Sequence, residues 1–257
     1  MGDWLVLIDG AASGAWNMAL DAALLAAAER DGTRALRLYA WDPPTLSFGR
    51  NEPAAKRYDR GRIAARGLAV VRRPTGGRAV WHDREVTYAV AAPADTFGSL
   101  RATYREIHAM LAAALGSLGA RVLLAGDRPA DGVGFGACFA SAAGGEVMAA
   151  TGGKVVGSAQ VRGDGAFLQH GSILLSAEQD VVAAVTAGEA AAPAAAGLDE
   201  LLPPERATRD AVSAAIHRTA AARWGAPAGA ATLPPAVRRD AERLVATYED
   251  PAWTWRR

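Results

Sequence analysis

The chain has 257 residues, 51% of them hydrophobic and 21% charged, which is the makeup of a folded protein with a substantial core. A net charge of +1 gives no broad attraction to nucleic acid or to a membrane surface, and no apolar run is long enough to span a bilayer. One cysteine, Cys138, cannot form an internal disulfide and suits a reducing cytoplasm, and MGDWLVLIDG lacks the basic start of a secretory signal.

WLVLID reads as a buried strand, and Ser13 as the cap of a helix through AWNMALDAALLAAAER that Gly32 closes. ALRLYAW and PPTLSFG read as strands, and YDRGRIAARG as a short helix ending at Gly67. LAVVRR is a strand running into the loop PTGGR, with strands AVWHD and EVTYAVAAP beyond it. LRATYREIHAMLAAALGSLG is a helix with a glycine stop, and ARVLLAG a strand. GEVMAA and KVVGSAQVR read as a hairpin across TGG, and AFLQHGSILL as the next strand. From about residue 177 to 200 the texture becomes alanine-rich, as in a frayed helix or linker. Helices follow near 205–224 and 235–248, and the tail PAWTWRR carries two tryptophans that would dock on the core. Hairpins mixed with helices predict an α+β fold with a mixed, largely antiparallel sheet rather than a doubly wound one. We expect one domain over 1–257, with a core over 1–176, the linker, and a short helical C-terminal part over about 201–257.

The cations are biased: 26 are arginine and two are lysine, Lys56 and Lys154. Lys56 opens the polar stretch KRYDRGR and reads as solvated. Lys154 follows two glycines in TGGKVVGSAQ, where a compact ammonium does what a planar guanidinium cannot.

The densest segment is RRPTGGRAVWHD, residues 72–83. Pro74, Gly76 and Gly77 turn the chain with exposed amides that can receive a carbonyl or phosphate oxygen, although a TGG turn alone is also an ordinary loop. His82 beside Asp83 could be an acid–base pair, but neighbours on a strand face opposite ways. His170 sits among apolar residues and reads equally as a core histidine, while His108 and His217 read as structural. No His, Cys or carboxylate set has metal-ligand spacing, and GVGFGA mimics a glycine-rich loop without a helix behind it. Cys138, in GFGACFASAAGG, is either a small apolar filler or a nucleophile. A reactive thiolate needs a nearby cation or helix N-terminus, and no basic residue adjoins it in sequence.

Taken together, RRPTGGRAVWHD and GGKVVGSAQVRGDGAFLQHGSILL resemble the two signatures of the lipoate–protein ligase and octanoyltransferase superfamily. GAWNMALDAALL, LRLYAWDPPTLSFGR and YEDPAWTWRR match as well, so the resemblance spans nearly the whole chain. It implies a biotin/lipoate ligase-like catalytic fold. TGGRAV, REVTYAV and ACF resemble the cysteine-dependent octanoyltransferases that load the glycine-cleavage H protein. That implies an octanoyl group passing from octanoyl–acyl carrier protein, through a Cys138 thioester, to a lysine of the H protein or a lipoyl domain.

Lys154 would hold the acyl carbonyl, and backbone amides at Gly76–Gly77 or Gly157 would receive the oxyanion. Val80 and Val156 would line the apolar slot. Arg73, Thr75, Arg78, His82, Ser158, Gln160 and His170 complete the expected binding set. No ATP or metal is expected, nor a nucleic-acid or membrane partner. The chain departs from this pattern after CF, where Ala140 and Gly145 stand in place of an acidic and an aromatic residue. Two alternatives remain: an ATP-dependent lipoate–protein ligase with Cys138 a bystander, and a silent accessory protein that binds acyl carrier or lipoyl domains.

Overall fold

The computed structural model describes residues 3–126, 145–188 and 194–256. β1 (Trp4–Ala12) leads into α1 (Gly14–Asp31), β2 (Arg34–Trp41) and β3 (Thr45–Phe48), followed by the short helices α2 (Ala54–Arg57) and α3 (Arg60–Ala65). β4 (Ala69–Arg72), β5 (Val80–His82), β6 (Glu85–Pro93), α4 (Leu100–Ser117) and β7 (Val122–Leu124) come next. The rest of the chain holds β8 (Val147–Ala149), β9 (Val156–Arg162), β10 (Ala166–Leu174), α5 (Asp180–Val185), a 3-10 turn at Leu198–Glu200, α6 (Arg209–Trp224), α7 (Pro235–Glu249) and α8 (Pro251–Thr254).

The central sheet runs β1-β2-β6-β10-β9, parallel between β1 and β2 and antiparallel elsewhere. A second sheet runs β4-β3-β5, and β7 pairs with β8. Strand alternation explains the layering. Val86, Tyr88 and Val90 of β6 point to one side, where α4 and α6 pack with Ile107, Leu111 and Ile216. Ala89 and Ala91 point to the other side, against Met18, Leu20 and Leu24 of α1 and Val237 of α7. α1 starts where expected: Ser13 Oγ accepts from the Trp16 amide at 3.2 Å, and Gly32 ends the helix at φ 73°. Its buried side is mostly Ala, Leu and Met, interrupted by Asn17 and Asp21, so helix, sheet and α7 approach closely. No helix among the described residues is long and apolar enough to cross a membrane.

Two expectations need correction. The 145–162 hairpin exists only at its tip, where the Ala149 amide donates to the Gly153 carbonyl and the Val155 amide to the Val147 carbonyl, each at 3.0 Å. Beyond it the arms part, β8 to β7 and β9 to β10, because β10 offers a longer, almost wholly buried edge. The described parts of 177–200 are packed rather than linker-like. Val182 and Val185, three apart on one helical face, close over Phe48, Tyr58 and Trp81, and Ala196 and Leu198 enter the main core. The tail docks as expected. The buried Arg72 guanidinium donates to the carbonyls of Thr254 and Arg256, and Trp253 Nε1 donates to the Arg72 carbonyl at 3.0 Å.

Candidate active site

The TGG loop is built on Arg73. Its Nη1 donates to Ser47 Oγ at 2.8 Å, and its Nη2 to the carbonyls of Gly76 and Arg78 at 2.9 and 2.6 Å. Arg73 therefore spends its donors on holding the turn that the sequence flagged. Gly49 lets the turn seat: a Cβ there would stand 1.9 Å from the Gly77 carbonyl oxygen. With the carbonyls engaged inward, the amides of Gly76 and Gly77 make no hydrogen bond to a described residue.

Behind the loop stand two carboxylate–imidazole–hydroxyl arrays, each drawn from distant parts of the chain. In the first, His170 Nδ1 lies 2.8 Å from Asp21 Oδ2 and its Nε2 2.6 Å from Thr75 Oγ1. Asp21 is wholly buried, and burial alone would lift its carboxyl. The His170 hydrogen bond and the Arg37 charge outweigh that and hold it below the usual carboxylate value. Burial pushes His170 below the usual imidazole value despite Asp21. The ring is thus neutral at pH 7, with Nδ1–H donating to Asp21 and Thr75 donating to Nε2. Arg37 closes this cluster through Asp21 at 2.9 Å, Asp9 at 2.7 Å and Asn17 Oδ1 at 2.8 Å.

In the second array His82 lies with Nδ1 2.8 Å from Glu85 Oε1 and Nε2 2.7 Å from Ser47 Oγ. Its ring stacks on Trp41 at 4.0 Å. Thr87 and Ser172 also donate to Glu85 Oε1. His82 therefore works with Glu85, three residues on, and not with the adjacent Asp83.

Both imidazoles line one narrow, mainly apolar cavity of about 20 Å³, together with Met18, Trp41, Val80 and Gly157. Arg73 and Ser158 border it too. Val156 does not: it is one residue before Gly157, so its side chain turns to the opposite sheet face and joins the main core. The expected slot is thus lined by Val80 without Val156.

Lys154 sits on the tip of the β8–β9 hairpin. Its backbone is clamped, with its amide donating to the Ala194 carbonyl at 2.8 Å and its carbonyl accepting from the Ala196 amide at 3.0 Å. Its Nζ is buried and ion-paired with Glu146 Oε1 at 2.8 Å. Glu146 escapes a reading by spacing because it lies eight residues away and meets Lys154 only through the hairpin. Gly145, where the resemblance implies an aromatic, has φ 89°, and a Cβ there would stand 3.7 Å from the Tyr104 ring. That distance is ordinary contact, so the positive φ, and not a lack of space, disfavours a side chain there.

His108, read as structural from sequence, is buried on α4 and bonds Ser158 Oγ through Nε2 at 2.7 Å. Gln160 donates to Gln169 Oε1 at 2.6 Å. Asp21, Arg37, Tyr39, Trp41, Glu85, Tyr88 and His108 were not legible as site residues, since each touches partners far away in sequence. Cys138 lies outside the described residues, as do Ala140 and the rest of 127–144.

The family model for the lipoyl protein ligase A/B catalytic domain matches residues 13–213. An octanoyltransferase LipM from Kyrpidia tusciae is 44% identical over 195 residues, which is 72% of this chain and 70% of the relative. One from Moorella thermoacetica is 42% identical over 189 residues, 71% and 68% of the two chains. Among solved structures, the bi-partite lipoate protein ligase of Thermoplasma acidophilum superposes with a TM-score of 0.79 at 19% identity, covering 99% of this chain and 97% of that one. A lipoate-protein ligase A bound with ATP gives 0.80 at 21% identity, with coverages of 99% and 98%. The ligases share the fold, and the much higher identity is to octanoyltransferases. The chain belongs to the lipoyl protein ligase A/B catalytic-domain family.

Proposed function

We propose that this enzyme is an octanoyltransferase of protein lipoylation, and that it works through a Cys138 thioester. The observation that carries the reading is the identity of 37–44% to several octanoyltransferases over 67–72% of the chain. The buried Lys154–Glu146 pair and the apolar cavity between the two imidazoles support it.

In the first step the Cys138 thiolate attacks the thioester carbonyl of octanoyl–acyl carrier protein, the carrier's C–S bond breaks, and the carrier leaves as a thiolate that takes up the proton Cys138 gave up. In the second, the amine of the acceptor lysine attacks the enzyme thioester. The C–S bond breaks, an amide forms, and the proton lost by the amine balances the thiol released. Exchange of one thioester for another is nearly neutral and amide formation runs downhill, so the transfer needs no ATP or metal. Lys154 holds the acyl carbonyl, and the amides of Gly76–Gly77 or Gly157 receive the developing oxyanion. The octanoyl tail enters the cavity beside Trp41 and Val80, where each buried methylene contributes about 0.8 kcal/mol. The acceptor is the glycine-cleavage H protein or a lipoyl domain.

The test is intact-mass spectrometry after incubation with octanoyl–acyl carrier protein and no ATP. The wild type should gain one octanoyl group, and Cys138→Ser should gain none as a thioester. Acyl-adenylate formation from lipoate and ATP, with no thioester adduct, would replace this reading with a ligase.

A further inference from the structure

His108 joins a hydrogen-bond chain whose direction is fixed from its Gly145 end. Its Nδ1 lies 2.7 Å from the Gly145 carbonyl oxygen, which can only accept, so Nδ1 carries the proton. Burial pulls the ring down to a pKa of about 4, and the nearby Lys154 charge adds to this, so it is neutral at pH 7. Nε2 is therefore an acceptor, and the Ser158 hydroxyl 2.7 Å away must donate to it. Tyr88 then donates to Ser158 at 2.7 Å, and Gln169 Nε2 donates to the Tyr88 oxygen at 2.7 Å. Gln160 Nε2 donates to Gln169 Oε1 at 2.6 Å. Every donor in this chain points the same way, from β9 and β10 across to α4 and on to Gly145.

The chain's end points matter. Gly145 immediately precedes Glu146, the ion-pair partner of Lys154, and Ser158 lies four residues after Lys154. The imidazole thus bridges the two limbs that carry the Lys154–Glu146 pair. We propose that His108 is a positioning residue for Lys154: by tying Gly145 to Ser158 it fixes the Glu146–Lys154 pair without placing a second cation beside it. This assigns Gln160 to the support of Lys154, and gives Ser158, which borders the cavity, a part in that support as well. The kinetic part of the inference rests on the proposed octanoyl transfer.

The chain offers its own reporter, because its two lysines are Lys154, buried, and Lys56, exposed. An amine-reactive reagent, read by peptide mass spectrometry, gives the labelling ratio of Lys154 to Lys56. In His108→Leu and in Ser158→Ala this ratio should rise several-fold over wild type. In each variant kcat for octanoyl transfer should fall on the order of 10- to 100-fold, as expected of a small misplacement, with KM within about twofold. The double variant should fall no further than the deeper single one, since both break one chain. His108→Asn, which keeps an N–H near Nδ1, should recover a large part of the protection and serves if the leucine variant does not fold. An unchanged labelling ratio in folded His108 variants overturns the proposal, as do additive kcat losses. If the wild type transfers no octanoyl group, the proposed function fails while the labelling ratio still decides the role of His108.

Discussion

The two faces of the central sheet solve the same problem differently. On the α1 side, polar groups are held by charge: the buried Arg37 pairs with the buried Asp21 and the partly exposed Asp9, and the neutral His170 hydrogen-bonds Asp21. On the α4 side, Tyr88, Gln169, Ser158 and His108 form a neutral chain, and the charged pair Lys154–Glu146 stands at its end. A buried charge stripped of its partner is far more costly than a neutral group stripped of one hydrogen bond. The ionic face therefore reads as scaffold for the cavity, and the neutral face as support for a group that must respond to a passing substrate.

The sharpest way to break this contrast is Arg37→Met. It leaves Asp21 buried beside His170 without its cation, and should cost roughly 3–5 kcal/mol of unfolding free energy in denaturant titration. A loss below about 1 kcal/mol would show that the α1-side cluster is not an ionic scaffold.

Lys154→Arg should act on catalysis instead. It keeps the charge but replaces a compact ammonium with a planar fork, and should lower kcat/KM roughly 100-fold, with a melting temperature close to wild type. Near-normal turnover would remove Lys154 from the reaction.

Acid should weaken both faces through their histidines. His108 has its folded pKa at about 4, below the ordinary 6.5, so between these values the unfolded chain binds a proton that the folded one does not. Stability therefore falls as the pH drops through that window, by roughly 2 kcal/mol at pH 5 from this residue. His170, also depressed, adds in the same direction, and Asp21 adds further loss at lower pH, where its depressed folded pKa is reached. Chemical denaturation of wild type and His108→Asn at pH 7 and pH 5 measures the difference, which should shrink in the variant.

Thr75→Val is the mildest probe. It removes the hydroxyl donor from His170 Nε2 at constant shape, and should cost about 1–2 kcal/mol of stability. A neutral result would mean that the Asp21–His170 pair holds the cavity wall unaided.

The sequence alone determined the strand and helix order, the Ser13 and Gly32 ends of α1, the TGG turn, and the family through its two long signatures. These are legible because caps, periodicity and contiguous motifs are properties of neighbouring residues. It also singled out Lys154 by contrast with 26 arginines. Tertiary structure decided the partners. Asp21 and His170 are 149 positions apart, Ser47 and His82 are 35, and His108 and Ser158 are 50. Nothing local marks such pairs, since any aspartate on an alanine-rich helix looks alike until the fold sets an imidazole beside it. The same reason explains the misplaced Val156 and the supposed linker at 177–200. Which face a strand residue serves, and whether an alanine-rich stretch is covered, depend on what packs against it.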